Sequence, residues 1–214
     1  MSHPEIDLNE VSVPLHPEEL FGAPAPVHVE IGSGKGRFLL EMATRNPQAG
    51  FLGVERSLKY HKMVCDKVAR RGIPNVRLVQ TTAEDLLFRL LRPASIDAIY
   101  VLFPDPWPKK RHHKRRFVTV ETTAAMVRAL VTGGHLRIKS DHRGYAEVIE
   151  NVLAQTRGLE PVPLAEAFEG LPRSGFECKY QEQGRTIFAF AFRKTGGPEE
   201  HFLSPKPDLV PTPR

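Results

Sequence analysis

Three groups of side chains have the types and spacing to do chemistry. The first is Asp105, set in Pro104-Asp105-Pro106-Trp107-Pro108 directly after the apolar run Ile99–Phe103. Three prolines within five residues exclude a strand or helix interior, so the carboxylate and the chain's single tryptophan lie in a stiff loop. The second is the run that follows, where Lys109, Lys110, Arg111, Lys114, Arg115 and Arg116 fall within eight residues, with His112 and His113 among them. The third is the turn Gly32-Ser33-Gly34-Lys35-Gly36, with Glu30 before it and Glu55 further along. A carboxylate, an aromatic plane and a dense cationic patch at the end of a buried strand point to chemistry beside a polyanion.

The formal net charge is +5. Taking away the six cations of the 109–116 run leaves −1 for everything else, so the basicity is local. A local patch reads as an anion-binding surface, and its position after Asp105 and Trp107 favours nucleic acid over a merely solvated loop. Lysine and arginine there would grip phosphates, giving affinity and salt dependence more than base choice. The two histidines have no cysteine or acid at ligand spacing, so they read as RNA-contacting or solvated, and no metal is expected. Trp107 either stacks on an unpaired base or acts as a loop anchor; its proline flanks favour the anchor.

The glycine turn has the spacing G-x-G-x-G. A dinucleotide fingerprint needs glycine where Arg37 stands, and a phosphate-binding loop needs Ser or Thr where Gly36 stands. The informative additions are the two acids. Glu55, at the end of the second strand, is placed to accept both hydroxyls of a ribose. Glu30 would repel a pyrophosphate but suits an ammonium group. The pair therefore favours S-adenosylmethionine, a ribose-bearing sulfonium without phosphate, over NAD. The bland reading, two surface acids at strand ends, fits one such residue better than both.

These groups need a scaffold, and the hydrophobic pattern supplies one. Val27–Ile31 reads as a short buried strand stopped by the glycine turn, and Phe38, Leu39, Met42 and Ala43 then mark a helix ended by Asn46-Pro47. Phe51–Glu55 is a second strand. Ser57 is a plausible N-cap for a helix over 58–71, with Gly72 just past its end. A strand at 76–80, a short helix at 83–91 and a strand at 96–103 follow. Beyond the basic loop come a helix through Val120, Ala124, Val127 and Val131, a break at Gly133-Gly134, a strand at 135–139 and a helix ending near Gly158. Residues 27–158 thus alternate strand and helix five times, which predicts an α/β, doubly wound, mostly parallel sheet with helices on both faces. The apolar run 186–192 has no helix after it and is expected to join as an antiparallel C-terminal strand.

The organisation expected is an N-terminal extension over 1–25, a catalytic domain over 26–194 and a Pro-rich, disordered tail over 195–214. At 214 residues, with 41% hydrophobic and 26% charged side chains, a single sizeable core is affordable. No apolar run reaches membrane-spanning length, and the N-terminus lacks the features of a signal peptide, so a cytoplasmic address is expected. Cys65 and Cys178 are unpatterned and read as reduced thiols.

The chain resembles the bacterial tRNA (guanine-N7)-methyltransferase family. The resemblance rests on 28–36 (His-Val-Glu-Ile-Gly-Ser-Gly-Lys-Gly), 51–55, Phe103–Lys109, Arg111–Arg116, Ser140-Asp141 and Phe176-Glu177, and covers roughly residues 20–193. It implies a class I, Rossmann-like methyltransferase fold and methyl transfer from S-adenosylmethionine to N7 of a guanine in tRNA, in the variable loop. It implies cofactor contacts at Glu30, Gly32, Gly34, Glu55 and Asp105. The family's Asp or Asn after the third strand falls on Thr82, which still offers a hydroxyl. Substrate contacts are implied at Lys109, Asp141, Ser174 and Glu177, with Gly175 departing from the family's pattern, and RNA contacts at Arg111, His112, His113, Lys114, Arg115 and Arg116. tRNA is the implied partner, with no membrane and no obligatory protein partner.

The reaction suits these residues. Guanine N7 has an in-plane lone pair and no proton to remove, so no general base is needed. The positive charge moves from sulfur to the methylated base, and a neighbouring carboxylate can stabilise it where it develops. Asp105 is the catalytic candidate, with Asp141 beside it. Asp141 or Glu177 would accept guanine's N1–H and N2–H₂, selecting guanine over adenine. Two other readings remain at this point: a class I methyltransferase acting on an amine, and a non-catalytic RNA-binding protein on the same scaffold.

Overall fold

The computed structural model describes residues 4–22 and 25–196. Of the extension, residues 4–6 run beside the third strand: Leu78 N–H donates to Pro4 O and Ile6 N–H to Leu78 O, both at 2.8 Å. This covers a sheet edge that would otherwise offer unpaired backbone groups. Helix α1 (Pro17–Phe21) ends at Gly22, and Ile6 and Leu15 are buried in the main core.

The chain then winds as the apolar pattern requires. Strand β1 (Val27–Ile31), helix α2 (Arg37–Arg45), strand β2 (Gly50–Val54), helix α3 (Leu58–Arg71) and strand β3 (Val76–Val79) form the first half. Helix α3 has the bounds read from sequence and closes at left-handed Gly72; the Ser57 side chain does not cap it. Helix α4 (Ala83–Asp85) widens into a π-helical turn over Leu86–Leu90, where Leu91 N–H reaches Leu86 O. Leu86, Leu87, Leu90 and Leu91 are all buried in the main core.

Strand β4 (Ile96–Leu102), a 3₁₀ helix (Lys110–Arg115), helix α5 (Val120–Ala129), strand β5 (Leu130–Ser140) and helix α6 (Arg143–Gln155) form the second half. Strand β5 is longer than the sequence pattern predicts. Its pairing with β4 jumps from Ile96↔Leu130 to Ala98↔His135, so Gly133-Gly134 lies in a bulge within the strand. Strand β6 (Leu159–Pro161), helices α7 (Leu164–Phe168) and α8 (Gly175–Glu182) and strand β7 (Phe188–Lys194) complete the described chain. The expected C-terminal strand is present, two residues later than its apolar run, and pairs antiparallel with both β5 and β6. The tail expected from 195 onward lies outside the described residues from 197.

The seven strands take the order β3-β2-β1-β4-β5-β7-β6. The winding direction reverses between β1 and β4, and the crevice at their carboxyl ends is the place for a ligand. Alternate residues feed two cores. Val29, Ile31, Leu52, Ile99 and Ile138 face one, with Met126, Tyr145 and Ile149 of α5 and α6; Phe51, Leu78 and Tyr100 face the other, with Phe38, Val64 and Val68 of α2 and α3. Among the described residues no helix is long and apolar enough to cross a membrane.

Candidate active site

The glycine turn leaves β1 and crosses to the end of β2. Gly32 and Ser33 N–H groups donate to Val54 O at 2.8 and 3.0 Å. Gly32 and Gly34 have φ of +77° and +52°, which a side chain would strain. Gly34 N–H donates to one oxygen of Glu55 at 2.9 Å, and Ser57 N–H to the other at 2.7 Å. The half-buried Glu55 carboxylate is thus braced from two loops, and each oxygen keeps a lone pair for a further donor. A glycine turn that spends an N–H on a carboxylate is not a phosphate cradle.

Glu30 is buried, and burial pushes its carboxyl well above the ordinary range. A backbone hydrogen bond from Leu39 acts in the opposite sense, and the charge of Glu55 adds to the rise. Its Oε2 and the hydroxyl of buried Ser33 have no hydrogen-bond partner among the described residues. Two orphaned polar atoms under one turn are costly unless a ligand completes them. They fit the amino-acid end of S-adenosylmethionine, as braced Glu55 fits its ribose.

In front of the turn opens a cavity of about 630 Å³. Its base is Ile31, Val54 and Val101, the carboxyl ends of β1, β2 and β4. Glu55 and Gly32 line one side, Thr82, Ala83 and Glu84 another, and Pro104, Asp105 and Trp107 the lip. Glu30, directly before Ile31 and Gly32 in the chain, is buried and is not itself a lining residue. Thr82 caps α4 by accepting from Asp85 N–H at 3.1 Å; its own hydroxyl proton remains available to the cavity. The volume suits a nucleoside-sized ligand.

The lip is a strained loop. Phe103 and Trp107 have φ of +60° and +43°, a left-handed conformation costing roughly 1–2 kcal/mol for each bulky residue. Phe103 N–H is tied to Lys139 O at 2.8 Å. The structure divides the basic run that follows. Arg116 turns inward: it is buried, donates its Nε–H to Pro106 O at 2.9 Å and lies 4.9 Å over the Tyr145 ring. Trp107 is half-buried, with the edge of His112 at 5.7 Å and the Arg115 guanidinium over its face at 5.0 Å. Lys109, Arg111, His113, Lys114 and Arg115 are exposed beside the exposed Asp105.

The remaining substrate candidates are all engaged within the chain. Asp141 accepts from Arg185 Nη1 at 2.7 Å. Ser174 is the buried N-cap of α8, accepting from Glu177 N–H at 3.1 Å. Glu177 accepts from Lys139 Nζ at 2.6 Å in a nearly buried pair. Glu55, Thr82 and Asp105 therefore meet at one cavity, while Ser174 and Glu177 are hydrogen-bonded within the chain at the start of α8.

A family model described as a putative methyltransferase matches residues 24–190. The tRNA (guanine-N(7)-)-methyltransferase of Mycobacterium avium (strain 104) is 37% identical over 193 residues, covering 87% of this chain and 73% of that protein. That of Streptococcus suis (strain 05ZYH33) is 35% identical over 174 residues, covering 79% and 82%. The chain belongs to the tRNA (guanine-N7)-methyltransferase family. Solved structures place the family's fold among class I methyltransferases. The 16S rRNA methyltransferase KamB superposes with a TM-score of 0.62 at 16% identity, over 84% of this chain and 92% of that one. The antibiotic-resistance methyltransferase Kmr superposes with 0.56 at 17% identity, over 84% and 92%.

This tRNA (guanine-N7)-methyltransferase family member has site neighbours that its sequence did not flag. Arg56, Thr81 and Phe117 line the cavity, Lys139 neutralises Glu177, and Arg185 and Tyr180 flank Asp141. Arg56 and Thr81 are the chain neighbours of Glu55 and Thr82. Arg185 lies 44 positions from Asp141, and no local pattern marks such a pair.

Proposed function

We propose that this protein transfers a methyl group from S-adenosylmethionine to N7 of a guanine in the variable loop of tRNA. The observation that carries the reading is the meeting, at one cavity, of braced Glu55 and Thr82 with Asp105 at the lip and an exposed cationic helix beside it, with the buried, orphaned Glu30 one residue before the cavity's Ile31. The family's activity, named for guanine N7 of tRNA, supports it. When bound, S-adenosylmethionine supplies an electrophilic methyl group on a cationic sulfur.

In this reading Glu55 orients the ribose through its two hydroxyls, and Gly32 and Gly34 let the turn lie close against the ligand. Glu30 and Ser33 take the ammonium end. Thr82 donates its hydroxyl to the adenine, beside the first backbone N–H groups of α4. Asp105 holds negative charge next to the reacting centre, where the cation passes to the base. No residue has to remove a proton, because N7 carries none. The rest of the acceleration is alignment, which the rigid proline loop provides. Lys109, Arg111, His112, His113, Lys114 and Arg115 hold the RNA, and Arg116 fixes the loop that carries them. The site needs no metal, and a cytoplasmic address belongs to the same reading.

The test is transfer of labelled methyl from S-adenosylmethionine to unmodified tRNA by the parent protein and Asp105→Ala. The expected outcome is loss of about 100-fold or more in turnover for the variant, with tRNA binding retained. Full turnover in the variant removes Asp105 from the chemistry.

A further inference from the structure

The α8–β7 corner holds an arrangement that the residues assigned so far do not explain. Phe103, Phe176 and Tyr180 form an aromatic cluster at the edge of the proline loop. Tyr180 meets Phe103 edge-on at 5.4 Å and Phe176 in a stack at 5.8 Å. Phe176 is about half exposed (49%), unusual for a large apolar side chain beside so much charge. Over the other partner of the cluster, the Tyr180 ring, lies the guanidinium of Arg185, with Cζ 4.6 Å from the ring centroid. The same guanidinium donates Nη1–H to Asp141 Oδ2 at 2.7 Å. Arg185 is half exposed and Asp141 largely covered. The phenol of Tyr180 feels the charges of both Asp141 and Asp105, so the corner adjoins the proposed transfer point.

The chemistry of that guanidinium is informative. Guanine carries a guanidine unit in its ring: C2 with N1–H, N2–H₂ and N3. On its Watson–Crick edge N1–H and N2–H₂, beside the O6 acceptor, form a flat pair of donors like those of the arginine fork. A planar donor stacked on an aromatic ring and hydrogen-bonded edgewise to a carboxylate is how a guanine would be held. Adenine offers an acceptor at N1 and no amino group at C2, so it would leave Asp141 facing a lone pair.

We propose that the Tyr180 ring face and the Asp141 carboxylate form the guanine-reading subsite, and that Arg185 occupies it in the free protein as an intramolecular stand-in for the base. The inference rests on guanine being the substrate. It adds Tyr180 as the stacking platform and Arg185 as a residue that the incoming base must displace. The corner is built for that exchange. Besides the contacts of its guanidinium with Asp141 and the Tyr180 ring, Arg185 is tied at its backbone, where its N–H donates to Tyr180 O at 2.9 Å, and Gly184 before it has φ of +65° in an exposed turn. Displaced, the side chain remains beside the RNA as a cation, and Asp141 exchanges one donor for another, so no buried charge is left unpaired.

The test is titration of guanosine, with adenosine as control, into the full chain saturated with S-adenosylhomocysteine, followed by NMR shifts. Arg185→Ala is expected to bind guanosine about three- to fivefold more tightly than the parent, the worth of a half-exposed ion pair released. Tyr180→Leu is expected to bind it at least about fivefold more weakly, and Tyr180→Phe about as well as the parent, because stacking needs the ring and not the hydroxyl. Adenosine should bind all four proteins weakly and alike. Weaker or unaltered guanosine binding by Arg185→Ala overturns the displacement, and unaltered binding by Tyr180→Leu overturns the platform. Absence of guanosine binding in all four overturns the subsite itself. The methyl-transfer assay stands apart: a chain that binds guanosine as expected but methylates no tRNA keeps this subsite and loses the reaction assigned to it.

Discussion

Glu30 costs the free chain stability, and in the proposed reaction it holds the cofactor's ammonium end. Its buried carboxyl has one oxygen without a partner among the described residues, and burial holds its pKa well above the ordinary range. Below that ordinary range the folded and unfolded chains are both protonated there. As pH rises, the unfolded chain ionises first, and stability falls until folded Glu30 itself ionises. Glu30→Gln keeps the shape and cannot ionise. The variant is therefore expected to unfold at or above the parent's temperature near neutral pH, with a flatter loss of stability from acid to neutral pH. Its affinity for S-adenosylmethionine should fall by about tenfold or more, because a charged hydrogen bond to the ligand is lost. Thermal unfolding over pH and calorimetric titration check the two halves. A destabilised variant with undiminished affinity would make Glu30 a packing residue.

The 103–116 loop is where positioning and grip separate. Arg116 is an internal brace: its Nε–H holds Pro106 O, its guanidinium covers Tyr145, and the Tyr145 hydroxyl accepts from Val118 N–H at 2.9 Å. Arg111 and Lys114 project from the 3₁₀ helix into solvent. Arg116→Ala should cost about 1–3 kcal/mol of stability, the scale of a charged hydrogen bond with a desolvated cation–π contact. The Arg111→Ala, Lys114→Ala double variant should unfold like the parent. Its binding to tRNA should weaken, and the slope of log affinity against log salt should shrink by roughly one to two. Salt-dependent binding and chemical denaturation of the two variants separate these roles; the reverse assignment of losses would contradict them. Trp107 belongs with Arg116 in this division. Its ring packs against Arg115 and His112 of the same loop.

Over the whole molecule, what the sequence could specify was what neighbouring residues decide. Strand β1, helix α3 and the glycine turn have periodicity, caps and breakers within a few positions, and they lie where those signals put them. The reversal of winding follows from five strand–helix alternations, and with it the crevice that gathers Glu55, Thr82 and Asp105. Features decided by distant partners were not legible. Strand β7 starts at Phe188, not at the head of its apolar run, because Ser140, its partner, is the last residue of β5. Strand β6 is three residues ending in proline and exists only through its pairing with β7. The inward turn of Arg116 depends on Tyr145, and the pairs Lys139–Glu177 and Asp141–Arg185 join segments about forty residues apart. A charge run looks uniform in sequence; only the core behind it decides which member is structural.

In the proposed reaction the cavity and the basic loop together deliver a methyl group to N7 of guanine. N7-methylation leaves a cationic base whose glycosidic bond and backbone can be broken selectively by reduction followed by amine treatment. Unmodified tRNA methylated by the protein with labelled S-adenosylmethionine should, after that treatment, be cut at one guanosine of the variable loop, with label incorporation matching the extent of cleavage. Label stably incorporated without cleavage at any guanosine would contradict it, and would assign the same cavity to methylation of another atom.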